Sequence, residues 1–363
     1  MNHTEKLVDL LAEAGLAGRG GASFSTARKV AAAQDSRATL IVNACDGELD
    51  AAKDWFVVSR HLDELVHGAR SITSDVRYAA RRGSPTLNLL LAAGLPALEV
   101  PDRYVASEES AIVSIAHGDF ARPVSRDRPL VFGGKDAEGR RLRPTLVLNA
   151  ETVWRVSQII HNGPGWFRSF GTPAEPGPRL VTVAGAVHHP GVFESAAGTP
   201  IADLLRRAGA APYRAVSVGG LSSGFLRAAE IEQLRWDSEV LMAHGCTIGS
   251  GVLRVVGADE CPVEYVVRTL EIAAAETAGQ CGPCMFGVPA VAADFAAVAA
   301  GDAGRVVSLH RRLGLLPGRG ACHFPDGVAQ YLAGALRVFG DDLDAHLGGR
   351  CVAEPDRRNA HAS

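Results

Sequence analysis

Two cysteines with two residues between them, in Cys281-Gly282-Pro283-Cys284, put a pair of thiols on one tight turn. Thiolates spaced in this way bind one metal ion or two irons of a cluster. Cys322, in a second glycine-rich turn, can join them if the intervening helices fold antiparallel. Spacing alone leaves unliganded thiols or a redox dithiol open. A thioredoxin-like role requires the pair at a helix N-terminus after a strand, and here a helical stretch precedes it. Near the other end of the chain, Gly15, Gly18, Gly20 and Gly21 lead into a helix-like stretch that carries Lys29. A glycine loop feeding a helix N-terminus, with an ammonium close by, suits an anion such as phosphate. The loop is not the dinucleotide fingerprint, because Ser23 stands at its last glycine, and a plain loop beside a solvated lysine is the competing reading. Carboxylates complete the set: Asp46 and Glu48 follow one short apolar run, and Glu108 and Glu109 follow another.

The elements that must position these groups are legible in outline. Residues 7–14 and 26–34 read as helices, the second rich in alanine. Residues 39–42 read as a strand delivering Asn43, Asp46 and Glu48 to a loop, and 104–106 as a strand delivering Glu108 and Glu109. Strand ends are where open α/β sheets carry their sites. Two adjacent acids before an apolar helix also suit a capping role. A Pro- and Gly-rich stretch over 171–178 marks a boundary. Beyond it, 180–187 and 192–194 form a strand, turn and return strand. Thr199 is then a candidate N-cap with Pro200 at the first helical position, Gly209 closes that helix, and 215–218 is a further strand. From about residue 245 the pattern is helical, with candidate helices from Pro262, over 288–300 and 305–313, and through Val328, Leu332, Ala335 and Phe339.

Composition narrows the function classes. The chain has 363 residues, 47% hydrophobic and 21% charged, enough for a sizeable core and more than one domain. A formal net charge of −3 provides no long-range positive field, so nucleic acid is not expected as a partner. No apolar run is long enough to cross a bilayer and no signal peptide is evident, so a cytoplasmic protein without membrane insertion is expected. Seven cysteines in such a chain point to a metal or redox centre ahead of a disulfide framework.

Taken in order, these segments resemble a known family. The run from Gly18 to Lys29 is similar to the GRGGAGFPTGLK loop of the flavin subunit of respiratory complex I and of related formate dehydrogenase and hydrogenase subunits. Asn43 to Glu48, followed by Lys53-Asp54, resembles that family's NADEGEPGTFKD. Residues 104–118 resemble its YICGEETALLNSLEG, and 143–152 its PTVVNNVET. Residues 276–287 resemble its cluster loop, ESCGKCTPCREG, and 320–326 the turn with its last cluster cysteine. The resemblance implies an α/β FMN- and NADH-binding domain over 1–175, a small β-grasp domain over 176–244, a helical-bundle iron–sulfur domain over 245–350 and a tail over 351–363. It implies FMN, NAD and a 4Fe-4S cluster as cofactors. FMN or NADH would be bound by Gly18, Arg19, Gly20, Gly21, Phe24, Lys29, Asn43, Asp46, Glu48, Asn149 and Thr152. Glu108 and Glu109 would line the nicotinamide side, and the partner would be a ferredoxin-like or other iron–sulfur protein.

Several positions depart from the family pattern. Ser23 and Ala27 replace glycines of the loop, Cys45 an Asp, Asp46 a Glu, Ser107 a glycine and Leu148 an asparagine. Ala278 occupies the place of the first cluster cysteine, leaving Cys281, Cys284 and Cys322. Cys351 is expected to supply the fourth ligand by an antiparallel return toward Cys322, with His323 as the next candidate. Two readings follow: a flavoprotein that moves hydride from NADH to FMN and electrons on to a cluster and a soluble acceptor, or a cofactor-poor relative acting as a binding or assembly module.

Overall fold

The computed structural model describes residues 3–21, 23–125, 128–135, 139–351 and 353. The tail expected over 351–363 therefore lies outside the described residues, apart from Cys351 and Ala353. The fold is mixed α/β. Leu40, Ile41 and Val42 are completely buried, a continuous apolar run of the kind required by a parallel strand covered on both faces. Their strand, Thr39–Asn43, pairs in parallel with Val76–Arg81 on one side and Thr145–Asn149 on the other, and Ala97–Val100 completes the sheet beyond Val76–Arg81. Numbered by chain position, these strands lie in the order three, two, one, four. The direction of winding reverses between the first and the fourth, so their carboxyl ends form the crevice where such sheets bind ligands. Asn43 and Asn149 are register partners at those ends.

Helices cover both faces. Leu40 and Val42 join the core made with His3–Ala14, Thr26–Ser36, Leu62–Ile72 and Ala150–Arg168, while Ile41 faces a smaller cluster with Ile112 and Val113. Gly68 allows the closest helix contact, since a Cβ there would lie 2.2 Å from the Val153 carbonyl oxygen. A second sheet orders its strands Gly224–Arg227, Tyr213–Val218, Val252–Gly257, Pro178–Gly185 and Gly191–Ala196, with Ile201–Arg207 as a helix over its core. The helices after the second sheet's last strand are Pro262–Ala275, Val288–Ala299, Val306–Leu313 and Phe324–Leu347.

Three expectations are corrected. Tyr104–Ser107 is a turn of 3-10 helix, not a strand; three residues are too few to register a period. The fourth strand of the first sheet is Thr145–Asn149. Val252–Gly257, expected in the helical region, is the middle strand of the second sheet and pairs in parallel with Pro178–Gly185, so that sheet extends past the expected boundary at 244. Thr199 does not cap a helix: Thr199 and Pro200 pair with Trp236 and Arg235, and the helix starts at Ile201.

Candidate functional site

A cavity of about 680 Å³ opens at the crevice between the first and fourth strands. Its walls come from distant parts of the chain: Gly18, Gly20, Gly21 and Lys29, then Asn43, Asp46, Gly47 and Glu48, then Ser107 to Glu109, then Asn149 and Thr152. Leu221, Ser222, Thr247, Gly249 and Ser250 from the second sheet close one side, and Cys322, His323 and Phe324 another. All the residues expected at a cofactor site line it except Arg19.

The glycine loop is locked from below. Arg19 is buried, its guanidinium donating to the carbonyls of Pro176 and Pro178, so the side chain points away from the cavity. Its backbone still serves the loop, with its N–H donating to Thr152 Oγ1 at 2.9 Å and its carbonyl accepting from Lys53 Nζ. Lys53 is ion-paired at 3.2 Å with Glu151, which also accepts from the Leu180 N–H at 2.6 Å. Both members of the pair are almost completely buried. Lys53, Arg155 and Arg19 hold the Glu151 carboxyl below its usual range against the opposing effect of burial. Gly21 has φ +105°, and a Cβ there would stand 3.3 Å from the Gly249 backbone, so the loop passes tightly against the second sheet's turn. Phe24 is 57% exposed at the mouth.

Behind the strand ends, the polar side chains are engaged with one another. Asp46, at φ +44°, accepts from the backbone N–H groups of Asp54 and Trp55 and so caps the helix Lys53–Arg60. Asp54 accepts in turn from the Asp46 N–H at 3.0 Å and from Asn149 Nδ2 at 2.8 Å. Burial, and then repulsion from Asp46, push the Asp54 carboxyl up to about 7. Asn43 donates to the Ser107 carbonyl, and Asn149 caps the helix Ala150–Arg168. Glu48 is pushed up by burial and accepts from the Tyr104 hydroxyl at 2.6 Å and the Leu221 N–H at 3.0 Å. Its carboxylate clamps two walls together. Glu108 caps the helix Glu109–Ala116, accepting from the N–H groups of Ser110 and Ala111, so it fills the capping role as well as lining the cavity.

At the far wall, Cys322 stands near Cys281, which stands near Cys284. Burial and then the Cys281 sulfur push the Cys284 thiol up to about 12, and burial pushes Cys322 up to about 11. The Ala278 backbone N–H faces Cys284, so the residue is next to the thiols with nothing to coordinate. The three sulfurs do not all lie within 4.8 Å of one another. Cys351 is not with them. Its sulfur lies with Cys261 and His346, at the opposite end of the helix Pro262–Ala275. The expected return fails because Phe324–Leu347 runs on for 24 residues, bending only at Phe339, and carries Cys351 away from Cys322. His323 is fully exposed and paired with Asp326 at 3.1 Å.

Comparison with known proteins follows the same two halves. Residues 11–82 match the Nuo51 FMN-binding domain, and 264–346 match the NADH-ubiquinone oxidoreductase-F iron-sulfur binding region. The second F-type NADH-quinone oxidoreductase subunit of Rhizobium meliloti (strain 1021) is 27% identical over 94% of this chain and 89% of its own length. The chain is similar to this family over nearly all of its length. The corresponding NADH-quinone oxidoreductase subunit of Escherichia coli (strain K12) is likewise 27% identical, over 94% of this chain and 84% of its own. An NAD+-reducing NiFe hydrogenase in its H2-reduced state superposes with a TM-score of 0.85 at 29% identity, covering 95% of this chain. This chain spans 63% of that hydrogenase chain.

Set against the family pattern, several residues at or beside the cavity are altered. Ser23, at a family glycine, retains φ +48°. Cys45 turns into the core, its thiol facing the Ala79 carbonyl at 3.6 Å, and Ala27 is buried in its helix. Sequence reasoning missed Lys53, Asp54 and Glu151 as the support of the loop, although all three lie in segments that resemble family motifs. It also missed Leu221, Ser222, Thr247 and Ser250, for which no local signal exists, because only sheet topology brings them to the cavity.

Proposed function

We propose that this chain oxidises NADH, with FMN seated in the cavity and a cluster on Cys281, Cys284 and Cys322 passing electrons to an iron–sulfur partner protein. The observation that carries this reading is the continuous wall running from the glycine loop to Cys322, which puts a nucleotide-type cradle and a cluster thiol on one cavity. Three features fit a flavin mononucleotide. Backbone packs tightly along this wall, a Cβ at Gly21 meeting the Gly249 backbone and one at Gly249 the Gly219 backbone, Lys29 offers a cation to a phosphate, and Ser250 Oγ is buried without a partner among the described residues. When bound, FMN accepts a hydride and gives up electrons singly to a cluster, and this chemistry asks no acid or base of the protein.

The chain's own residues therefore supply geometry and charge. The backbone of Gly18, Gly20 and Gly21, with Lys29, faces the phosphate. Arg19 and Thr152 hold the loop, while Asn43, Asp46 and Asn149 fix the strand ends behind the ring. Phe24 offers an exposed ring at the mouth for the NADH adenine. Glu108 and Glu109 line the nicotinamide side, and the acidic lining of the nucleotide site as a whole, Glu48 included, disfavours the extra negative charge of NADPH. Glu48 positions Tyr104 and Leu221. An α/β domain, a β-grasp domain and a helical cluster domain complete the assignment, the second extended through Gly257. Protein purified without oxygen should be yellow-brown and lose its flavin absorbance on addition of NADH, more slowly with NADPH. A colourless chain that takes up no FMN on titration would sink the proposal.

A further inference from the structure

Cys261, His346 and Cys351 form a cluster that the flavin and iron–sulfur chemistry does not use. Cys261 caps the helix Pro262–Ala275 and is 6% exposed. His346 lies in the last turn of Phe324–Leu347, with its Nε2 3.3 Å from the Cys261 sulfur. Its other nitrogen, Nδ1, is 3.1 Å from the Ala299 carbonyl at the end of Val288–Ala299. A carbonyl can only accept, so Nδ1 carries the proton and Nε2 presents its lone pair to the sulfurs. The turn through Gly348 and Gly349, closed by the Arg350 N–H on the Ala345 carbonyl, returns Cys351 to the same point. One ligand atom from each of the three residues lies within 4.8 Å of the others.

We propose that Cys261, His346 and Cys351 bind a divalent transition ion of the zinc type. Zinc–sulfur and zinc–nitrogen bonds of ordinary length give a tetrahedron with S···N edges of about 3.5 Å and S···S edges of about 3.8 Å; the Cys261–His346 edge, 3.3 Å, is close to that length, and the other edges are at most 4.8 Å. Two thiolates and a neutral imidazole select a borderline-soft ion over calcium or magnesium. The carbonyl behind the imidazole is the usual outer partner that fixes the ring of a ligating histidine. Three protein ligands leave the fourth tetrahedral position to water. The ion would tie the start of Pro262–Ala275 to the end of Phe324–Leu347 and the turn that follows it. It would be distinct from the cysteine turn, because the 14-residue helix beginning at Cys261 sets the two sites about 20 Å apart.

The test uses the full chain, reduced and freed of metal with a chelator, then titrated with Co2+ and separately with Zn2+. A thiolate-to-cobalt charge-transfer band saturating with the site is expected, lost in Cys261→Ser and Cys351→Ser and retained in Cys322→Ser. His346→Gln should weaken zinc binding by about a hundredfold or more. X-ray absorption of the zinc-loaded wild-type chain keeps the idea falsifiable if a variant misfolds, and a shell of two sulfurs with nitrogen and oxygen donors is expected. An all-sulfur shell, a cobalt band that survives Cys351→Ser, no cobalt or zinc uptake, or a Cys261–Cys351 disulfide in the purified protein would each overturn it.

Discussion

The two ends of the cavity have both lost residues of the family pattern, and they have lost them differently. At the glycine-loop end, Ser23 replaces a glycine yet keeps a positive φ, Cys45 turns its sulfur into the core, and Ser107 spends its hydroxyl on the Tyr104 carbonyl. The surface there is made largely of backbone, held by the buried Lys53–Glu151 pair and the reciprocal Asp46–Asp54 contacts. A side chain can change if the main-chain path survives. At the cysteine end the functional atom is itself a side chain, and no rearrangement lets the methyl of Ala278 ligate iron. Backbone-built recognition thus absorbs sequence change that ligand-built recognition cannot.

The sharpest test of this contrast is at the cysteine end. Cys284→Ser should abolish bound iron, whereas Ala278→Cys should increase the iron and sulfide that survive a chelator challenge. Equal retention in wild type and Ala278→Cys would mean that another group already completes the site. Next in size is Glu151→Gln, which leaves Lys53 buried among Arg19 and Arg155 and should cost about 3–5 kcal/mol in urea unfolding; a loss below about 1 kcal/mol would show that the loop does not depend on the pair.

The acid pair behind the strand ends should appear as a pH dependence. Asp54 has a folded-state value of about 7 against an ordinary 3.8. Its contribution is complete below pH ~4 and is lost as pH rises through about 7, a change of a few kcal/mol. Asp54→Asn should flatten that limb in a series of unfolding curves. Glu151, shifted the other way, acts in a separate window: its contribution is lost as pH falls below the usual carboxylate range. Lys29→Ala should weaken FMN binding by about 1.5–3 kcal/mol, read by titration calorimetry, because it removes a charge-assisted contact to phosphate. An unchanged affinity would take the phosphate away from Lys29. Smallest is Ser23→Gly. Relief of the left-handed strain is offset by the greater freedom of glycine when unfolded, so stability should move by less than about 1 kcal/mol. A large gain would contradict the tolerance ascribed to this end.

The order of the local motifs was legible because glycine loops, strand-end polar residues and a cysteine pair are each written within a dozen residues. What was hidden depends on distant contacts. Nothing in Gly18-Arg19-Gly20 tells that the guanidinium leaves the loop for the Pro176 and Pro178 carbonyls. Residues 104–106 combine aromatic and β-branched types, yet the preference of so short a run yields to the packing of Tyr104 against Phe324 and its bond to Glu48. Val252–Gly257 is hidden among helical patterns because its partner strand lies some seventy positions earlier. The position of Cys351 escapes sequence reasoning because the pattern suggests a stop near Phe339, where the helix only bends.

The cavity wall begins at Gly18 and finishes at Gly327 of 363 residues. During synthesis the first sheet emerges and folds well before the last stretch of wall exists. A prosthetic group therefore cannot be wrapped by the growing chain as a core side chain is; it can be fully enclosed only once the last stretch of wall has folded. Maturation is then a separate event, timed by cofactor supply, and cells short of flavin would accumulate a folded chain still competent to be charged.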